Sequence, residues 1–197
     1  MLVAFRQLEA WTLADTPKRV FLKEIDELRE HFFAAASAAY RDDYYAKLLT
    51  LKILNLLLAR YHYRARHSVI ASQPFTLMID PVNACQLQCP GCVHSDNEDF
   101  VRNLRWPSGR MSVDTFRHLL QSHGPFALNT VLYNYGEPLL HKRFPEFVTL
   151  AHEYAMTTHV STNLAMPINV EQLVRAAPDH MILSIDGAFQ ETYGRYR

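Results

Sequence analysis

The sequence predicts an α/β fold in which four parallel strands alternate with helices, preceded by an all-helical N-terminal region. From Gln73 onward, short runs of β-branched and aromatic residues alternate with helical segments. This alternation is typical of βαβ units on a parallel sheet. Before that residue the pattern is helical only. We therefore divide the chain into a helical region over 1–72 and an α/β region over 73–197.

The composition indicates a folded chain without a strong electrostatic preference. The chain has 197 residues, of which 49% are hydrophobic and 12% aromatic, and this excludes general disorder. A chain of this length buries about 70% of the surface that its unfolded form exposes. Because 20 Lys and Arg balance 20 Asp and Glu, we expect neither a nucleic acid nor a membrane surface as partner.

Two helices are predicted in the N-terminal region. The first is capped by Thr16 and extends to about residue 40, and the second is capped by Asp42 or Asp43 and extends to about residue 66. Leucines cover most of the second helix. We therefore expect that helix to be buried nearly all round, against its own domain or a partner.

The same region lacks the features of a targeting or membrane-spanning segment. Arg6 and Glu9 interrupt the apolar start of the chain, which makes it a poor signal peptide. The most apolar segment, 48–59, contains Lys52 and Asn55 as a narrow polar stripe and is too short to span a bilayer. A cytoplasmic location is the expectation.

Strands and helices alternate through the second region. The candidate strands are Phe75–Asp80, Thr130–Asn134, Thr157–Thr162 and His180–Ile185. The candidate helices between them are Ser112–Ser122, Phe144–Ala155 and Asn169–Ala176. One connection, the loop over 81–111, is much longer than the others, and long loops within compact domains are usually functional.

All three cysteines of the chain, Cys85, Cys89 and Cys92, lie in this loop, within a stretch of eight residues. An odd number at such close spacing is a poor disulfide framework. Thiolates are soft ligands that suit iron–sulfur clusters or zinc. Three of them can hold three irons of a cubane and leave the fourth open, and Pro90-Gly91 lets the chain turn sharply between the last two.

The motif CxxxCxxC, placed directly after the first predicted strand, resembles the signature of the radical S-adenosylmethionine (SAM) superfamily, whose fold is a partial (β/α) TIM-type barrel. Three later segments agree with this resemblance, and each follows a predicted strand: Tyr135-Gly136-Glu137-Pro138, Ser161-Thr162-Asn163 and Ser184-Ile185-Asp186-Gly187. The last is similar to the SIDG segment of the subgroup that often carries a SPASM extension. Active sites of parallel barrels lie at the carboxyl ends of the strands, where these segments fall.

The resemblance implies that the three cysteines bind a [4Fe-4S] cluster whose open iron is chelated by SAM. It implies further that SAM is contacted by residues of the three later segments: Gly136, Glu137, Pro138, Ser161, Asn163, Ser184 and Asp186. The implied reaction is one-electron cleavage of SAM to methionine and a 5′-deoxyadenosyl radical, which abstracts hydrogen from a peptide or small metabolite. The electron donor would be a small carrier such as flavodoxin or ferredoxin.

Two positions depart from the family pattern, and one has a second interpretation. Gly91 stands where the family often has an aromatic residue that packs on adenine, and Tyr135 replaces the first glycine of GGEP. Asp186 precedes a glycine and fits a simple turn equally well.

Two other functions stay open from the residues alone. The first is a structural zinc site in which His94 completes a Cys3His set, although zinc ligands usually come as two separated pairs. A ferredoxin-like electron carrier is not one of the two, because a bacterial ferredoxin would need a fourth cysteine. The second is a non-catalytic scaffold protein that binds a cluster or zinc and uses its N-terminal helices as the partner surface.

The length predicts an incomplete barrel. Eight strands with their helices take about 250 residues, whereas residues 73–197 contain only four predicted strands. The fourth would be an apolar edge without a neighbour, which native proteins avoid. We therefore expect a C-terminally truncated fragment, with the SAM-binding half present and turnover doubtful.

Overall fold

The computed structural model describes residues 43–95 and 108–197. The chain divides into two compact units, Met1–Gln73 and Pro74–Arg197. The helix predicted from Thr16 to about residue 40 lies outside the described residues.

Helix α1, Asp43–Arg64, belongs to the first unit. Its polar stripe is buried: Lys52 is fully covered and Asn55 is 6% exposed, while most of the leucines are only half-buried. The Asn55 amide accounts for its burial, because it accepts a hydrogen bond from Gln73 N at 2.8 Å and donates one to Gln73 O at 3.0 Å. The stripe that the sequence marks as the less apolar side is therefore a buried side of the helix.

The second unit is built on one parallel sheet in the order β1-β2-β3-β4. Its strands are β1 Thr76–Met78, β2 Asn129–Val131, β3 Thr157–Thr162 and β4 His180–Leu183. One rung runs through all four, since Met78 pairs with Val131, Val131 with His159 and His159 with His180. The predicted α/β fold with four parallel strands is confirmed.

Helices connect the strands. They are α2 Val113–His123, α3 Phe144–Glu153, α4 Val170–Ala176 and α5 Gln190–Gly194, together with a 3-10 turn over Pro138–Leu140. Two begin at side-chain caps: Ser112 accepts from Thr115 N and Asn169 accepts from Gln172 N, each at 3.0 Å. Such caps satisfy backbone donors that the first helical turn leaves unpaired.

The apolar core lies between these helices and one face of the sheet. Along β3, Thr158, Val160 and Thr162 are buried, and the alternate residues are more exposed. Phe116 of α2 and Phe147 of α3 pack with their ring centroids 4.8 Å apart in the same core. The helices therefore cover one face of the sheet, and the other carries polar side chains such as His159 and Ser161.

Strand β4 forms an edge of the sheet. Met181, Ile182 and Leu183 are 37–53% exposed, and no other described strand pairs with its outer side. Within residues 43–95 and 108–197, no helix combines the length and the apolar character that a bilayer crossing requires.

Candidate functional site

The loop that carries the cysteines is closed at its base. Val82 and Arg110 form an isolated antiparallel bridge, and Met111 N donates to Pro81 O at 2.9 Å. These contacts join the two ends of the segment between β1 and α2. The cysteines therefore project from a loop with a fixed base, at the carboxyl end of β1.

The three thiols are free, and two of them accept hydrogen bonds. Cys85 Sγ lies 3.5 Å from Leu87 N and from Asn163 Nδ2. Cys89 Sγ accepts from Arg197 Nη1 at 3.2 Å. Burial raises the pKa of the Cys85 thiol, so binding of a metal there must displace a proton.

The sulfur atoms of the three cysteines are suitable ligands for an iron–sulfur cluster. Among the described residues, no three Cys, His, Asp or Glu side chains are gathered as ligands of a single metal ion. In a cubane each thiolate binds a different iron, so the three sulfurs need not converge on one point. Beside Cys89, the buried Arg197 Nε has no hydrogen-bond partner in the described part of the chain. A spare cationic donor next to thiols suits an anionic group such as a thiolate-bound cluster.

His94 is not placed as a fourth ligand. Its Nε2 donates to the carbonyl oxygen of Tyr135 at 2.9 Å, which commits that nitrogen to the backbone of the loop after β2. A Cys3His zinc set with Nε2 as ligand would have to break this contact. The bond joins the segment just beyond Cys92 to the loop after β2.

The loop after β2 lies close against the segment after β1. A Cβ atom on Gly136 would be 1.7 Å from Val82 O, so only glycine allows this approach. The carboxylate of Asp80 accepts from Tyr135 N at 3.1 Å and from Gly136 N at 3.5 Å. The backbone at these two positions is thus held by Asp80 and His94, and the glycine is required by packing.

Glu137 is buried, and its carboxylate ties the loop after β2 to the end of β3. Oε1 accepts from Leu139 N at 3.1 Å and from the Thr162 hydroxyl at 2.8 Å. Oε2 accepts from Asn163 N at 2.8 Å. A carboxylate offers about four acceptor positions, so three are occupied by the chain itself. Pro138 follows as the buried first residue of the 3-10 turn.

The predicted site residues of β3 and β4 contact one another or the cysteine loop. Asn163 Oδ1 accepts from Gln86 Nε2 at 2.8 Å, while its Nδ2 faces Cys85 Sγ. The hydroxyls of Ser161 and Ser184 are 3.1 Å apart. Asn163 therefore links the end of β3 to the first cysteine, and the two serines link β3 to β4.

Asp186 forms an ion pair with Arg197, whose side chain is 10% exposed. Arg197 Nη2 also donates to Ser184 O at 2.8 Å. Asp186 therefore does more than form a turn, because its carboxylate fixes a guanidinium that reaches the cysteine loop. Hydrogen bonds or ion pairs thus connect the segments after all four strands.

Sequence reasoning missed four residues of this network: Asp80, Gln86, Thr162 and Arg197. A signal existed for Asp80, because a carboxylate at the end of an apolar run and before Pro81 stands at the carboxyl end of a strand. Thr162 lies inside a segment that was singled out, but its partner Glu137 is 25 positions away. Arg197 had no local signal.

No protein-family model matches the chain, and no curated protein matches it significantly. Among solved structures, Streptococcus suis SuiB bound to S-adenosylmethionine matches with a TM-score of 0.53 and 18% identity, over 89% of this chain and 38% of that one. SuiB bound to the precursor peptide SuiA matches with a TM-score of 0.53 and 16% identity, over 91% and 40%. BtrN in complex with AdoMet and 2-DOIA gives a TM-score of 0.46 and 22% identity, over 62% and 52%.

At these identities the structural similarity establishes the fold alone. Of the three structures, only the two of SuiB support this conclusion. The described sheet and helices share the fold of SuiB, a partial TIM-type barrel, as the sequence predicts. Because a shared fold does not establish a shared function, the relation to the radical SAM superfamily stays a prediction. The chain spans 38% of the SuiB chain that it matches.

Proposed function

We propose that this chain contains the SAM-binding half of a radical SAM enzyme and binds a [4Fe-4S] cluster through Cys85, Cys89 and Cys92. One observation carries the proposal: Asn163 contacts Cys85 Sγ with its side chain and Glu137 with its backbone. Three segments that the sequence marks separately are thereby joined at one edge of the sheet. That edge is the catalytic face of parallel barrels.

In this proposal the chain positions the cofactors and the cofactors carry the chemistry. When bound, the cluster would supply the electron for reductive cleavage of SAM, and SAM would supply the radical for hydrogen abstraction. The three thiols lose their protons and become the cluster ligands. Leu87 N and Asn163 Nδ2 lie in place to donate to the Cys85 sulfur, which stabilises its thiolate form.

The SAM contacts are proposed for the residues at the ends of β2, β3 and β4. Glu137 keeps one acceptor position for an ammonium group, and Pro138 starts the turn behind it. The hydroxyls of Ser161 and Ser184 bond each other and retain capacity for ligand oxygens. Three further contacts to SAM belong to the same proposal and come from Asn163, Asp186 and the Gly136 backbone.

The substrate class and the electron donor are also proposed. SuiB, which shares the fold, was solved with a precursor peptide, and this favours a peptide over a small metabolite. A flavodoxin or ferredoxin would supply the electron. Free thiolate ligands require a reducing compartment, so we place the protein in the cytoplasm.

Anaerobic reconstitution of the 197-residue chain tests the proposal. Iron, sulfide and zinc are measured per chain in the wild type and in the triple Cys85→Ala, Cys89→Ala, Cys92→Ala variant. We expect iron and sulfide in the wild type and neither in the variant. One tightly bound zinc and no iron in the wild type would overturn the proposal.

A non-catalytic cluster-binding scaffold is the second candidate, because the carboxylates of Glu137 and Asp186 are already engaged by donors of the chain itself. Formation of 5′-deoxyadenosine separates the two functions. The reconstituted chain is incubated with SAM and a strong reductant, and the product is measured by liquid chromatography. Product above the level of the triple cysteine variant supports the enzyme, and none supports the scaffold.

A further inference from the structure

We propose that Arg197 positions the Cys89 ligand and raises the reduction potential of the cluster that Cys89 helps to bind. The inference rests on the proposed function and deepens it, because neither the motifs nor the fold comparison assigns a role to this arginine. It is carried by the contacts of one guanidinium with two segments of the site.

The guanidinium bridges the end of β4 and the cysteine loop. Its Nη1 donates to Cys89 Sγ at 3.2 Å. Its Nη2 donates to Ser184 O at 2.8 Å and pairs with the Asp186 carboxylate. Two nitrogens of one planar fork thus serve opposite partners, which a flexible ammonium group cannot reproduce.

The surroundings make this contact strong. The Arg197 side chain is 10% exposed, so water screens its charge little. Asp186 and the Ser184 carbonyl hold the Nη2 side and leave Nη1 directed at the sulfur. A second nitrogen, Nε, is buried without an acceptor among the described residues. The cationic end of the pair therefore faces the thiols.

The direction of the effect follows from charge. Reduction adds an electron to an anionic cluster, and a nearby positive charge stabilises the reduced form more than the oxidised form. A hydrogen bond to a ligating sulfur acts in the same direction. Loss of the guanidinium should therefore lower the potential and make the cluster harder to reduce.

The test is a redox titration of the reconstituted chain, followed by electron paramagnetic resonance. Arg197→Met removes the charge and keeps a long side chain. Arg195→Met is the matched control, since Arg195, the residue after α5, is exposed and pairs only with Glu191 among the described residues. We expect a more negative midpoint potential in Arg197→Met and an unchanged one in Arg195→Met. Iron content is measured in every variant.

Each outcome of the titration either supports or overturns the inference. An equal potential in Arg197→Met and Arg195→Met, both with full iron content, overturns the inference and leaves the proposed function intact. If Arg197→Met binds no iron, Arg197→Gln is compared with Arg195→Gln: a more negative potential only in Arg197→Gln supports the inference, and equal potentials overturn it. A wild type without iron refutes the proposed function, and this inference with it.

Discussion

Gly136 lies so close to Val82 that a Cβ atom at position 136 would be 1.7 Å from the Val82 carbonyl oxygen. The contact is between two backbone segments, one after β2 and one after β1. No side chain can rotate away to relieve it. The first two segments of the candidate site are therefore packed backbone to backbone.

Gly136→Ala should lower both stability and SAM affinity. Because the clash is with backbone, the loops must separate, at a cost of about 1–3 kcal/mol in the free energy of unfolding. Gly194→Ala is the matched control, since the nearest atom to a Cβ there would be Gln190 Nε2, at 3.9 Å. Urea unfolding and SAM calorimetry measure the two effects. An equal loss in both variants would contradict the packing role.

Glu137→Gln should destabilise the chain by about 1–3 kcal/mol, because a buried amide would face a backbone donor. Oε1 accepts from Leu139 N and Oε2 accepts from Asn163 N, so either orientation of the glutamine points an NH2 group at an N–H group. Glu171→Gln is the control: its carboxylate is exposed and pairs with Arg175 on the same helix. Thermal unfolding of the two variants is compared. Equal midpoints would show that the Glu137 carboxylate is not needed.

Lys52 should make the stability rise with pH. Burial lowers the pKa of this lysine from 10.5 to about 8. Between these values the unfolded chain binds more protons than the folded chain, so the free energy of unfolding increases with pH. The full rise is on the order of 3 kcal/mol, at 1.36 kcal/mol per pKa unit.

Urea unfolding at a series of alkaline pH values measures this rise. Lys52→Met should flatten it. Lys47→Met removes an exposed lysine of the same helix and should leave the rise of stability with pH unchanged. A wild-type stability that falls steadily through this range would contradict the expectation.

Asp179 should contribute to acid unfolding. Partial burial opposes its ionisation, but hydrogen bonds from His152 and Thr158 outweigh it and lower the pKa of the carboxyl below 3.8. Thr158 N and the Thr158 hydroxyl both lie 2.8 Å from Asp179 Oδ2. The stabilisation is therefore complete above the ordinary pKa and is lost as the pH falls through the lowered one.

Unfolding midpoints measured from neutral to acid pH test this contribution. Asp179→Asn should lower the midpoint at neutral pH and reduce its further loss in acid. A variant that keeps the wild-type slope would show that other carboxyls cause the acid unfolding.

Local signals predicted much of the fold. The bounds of β3 agree with the sequence, because Thr, Val and Ser alternate between a buried and a less buried face. Two helices begin next to their predicted starts, because Ser112 and Asn169 cap them and a cap depends only on the next three residues. The ends of β1, β2 and β4 differ by a few residues, because pairing with a neighbour and not propensity decides where a strand ends.

Long-range contacts account for what the sequence could not predict. Asp80 reaches Tyr135 across 55 positions and Arg197 reaches Cys89 across 108. In α1, the buried side is set by the bond between Asn55 and Gln73, which no helical periodicity reveals. The motifs located the candidate site, whereas the contacts between them depend on the tertiary fold.

The most direct test of the account is the electron paramagnetic resonance spectrum of the reduced, reconstituted chain, recorded with and without SAM. We expect a [4Fe-4S] signal that depends on Cys85, Cys89 and Cys92 and that changes on addition of SAM, because SAM binds the open iron. A signal that SAM leaves unchanged, or a chain that takes up zinc in place of iron, would contradict it.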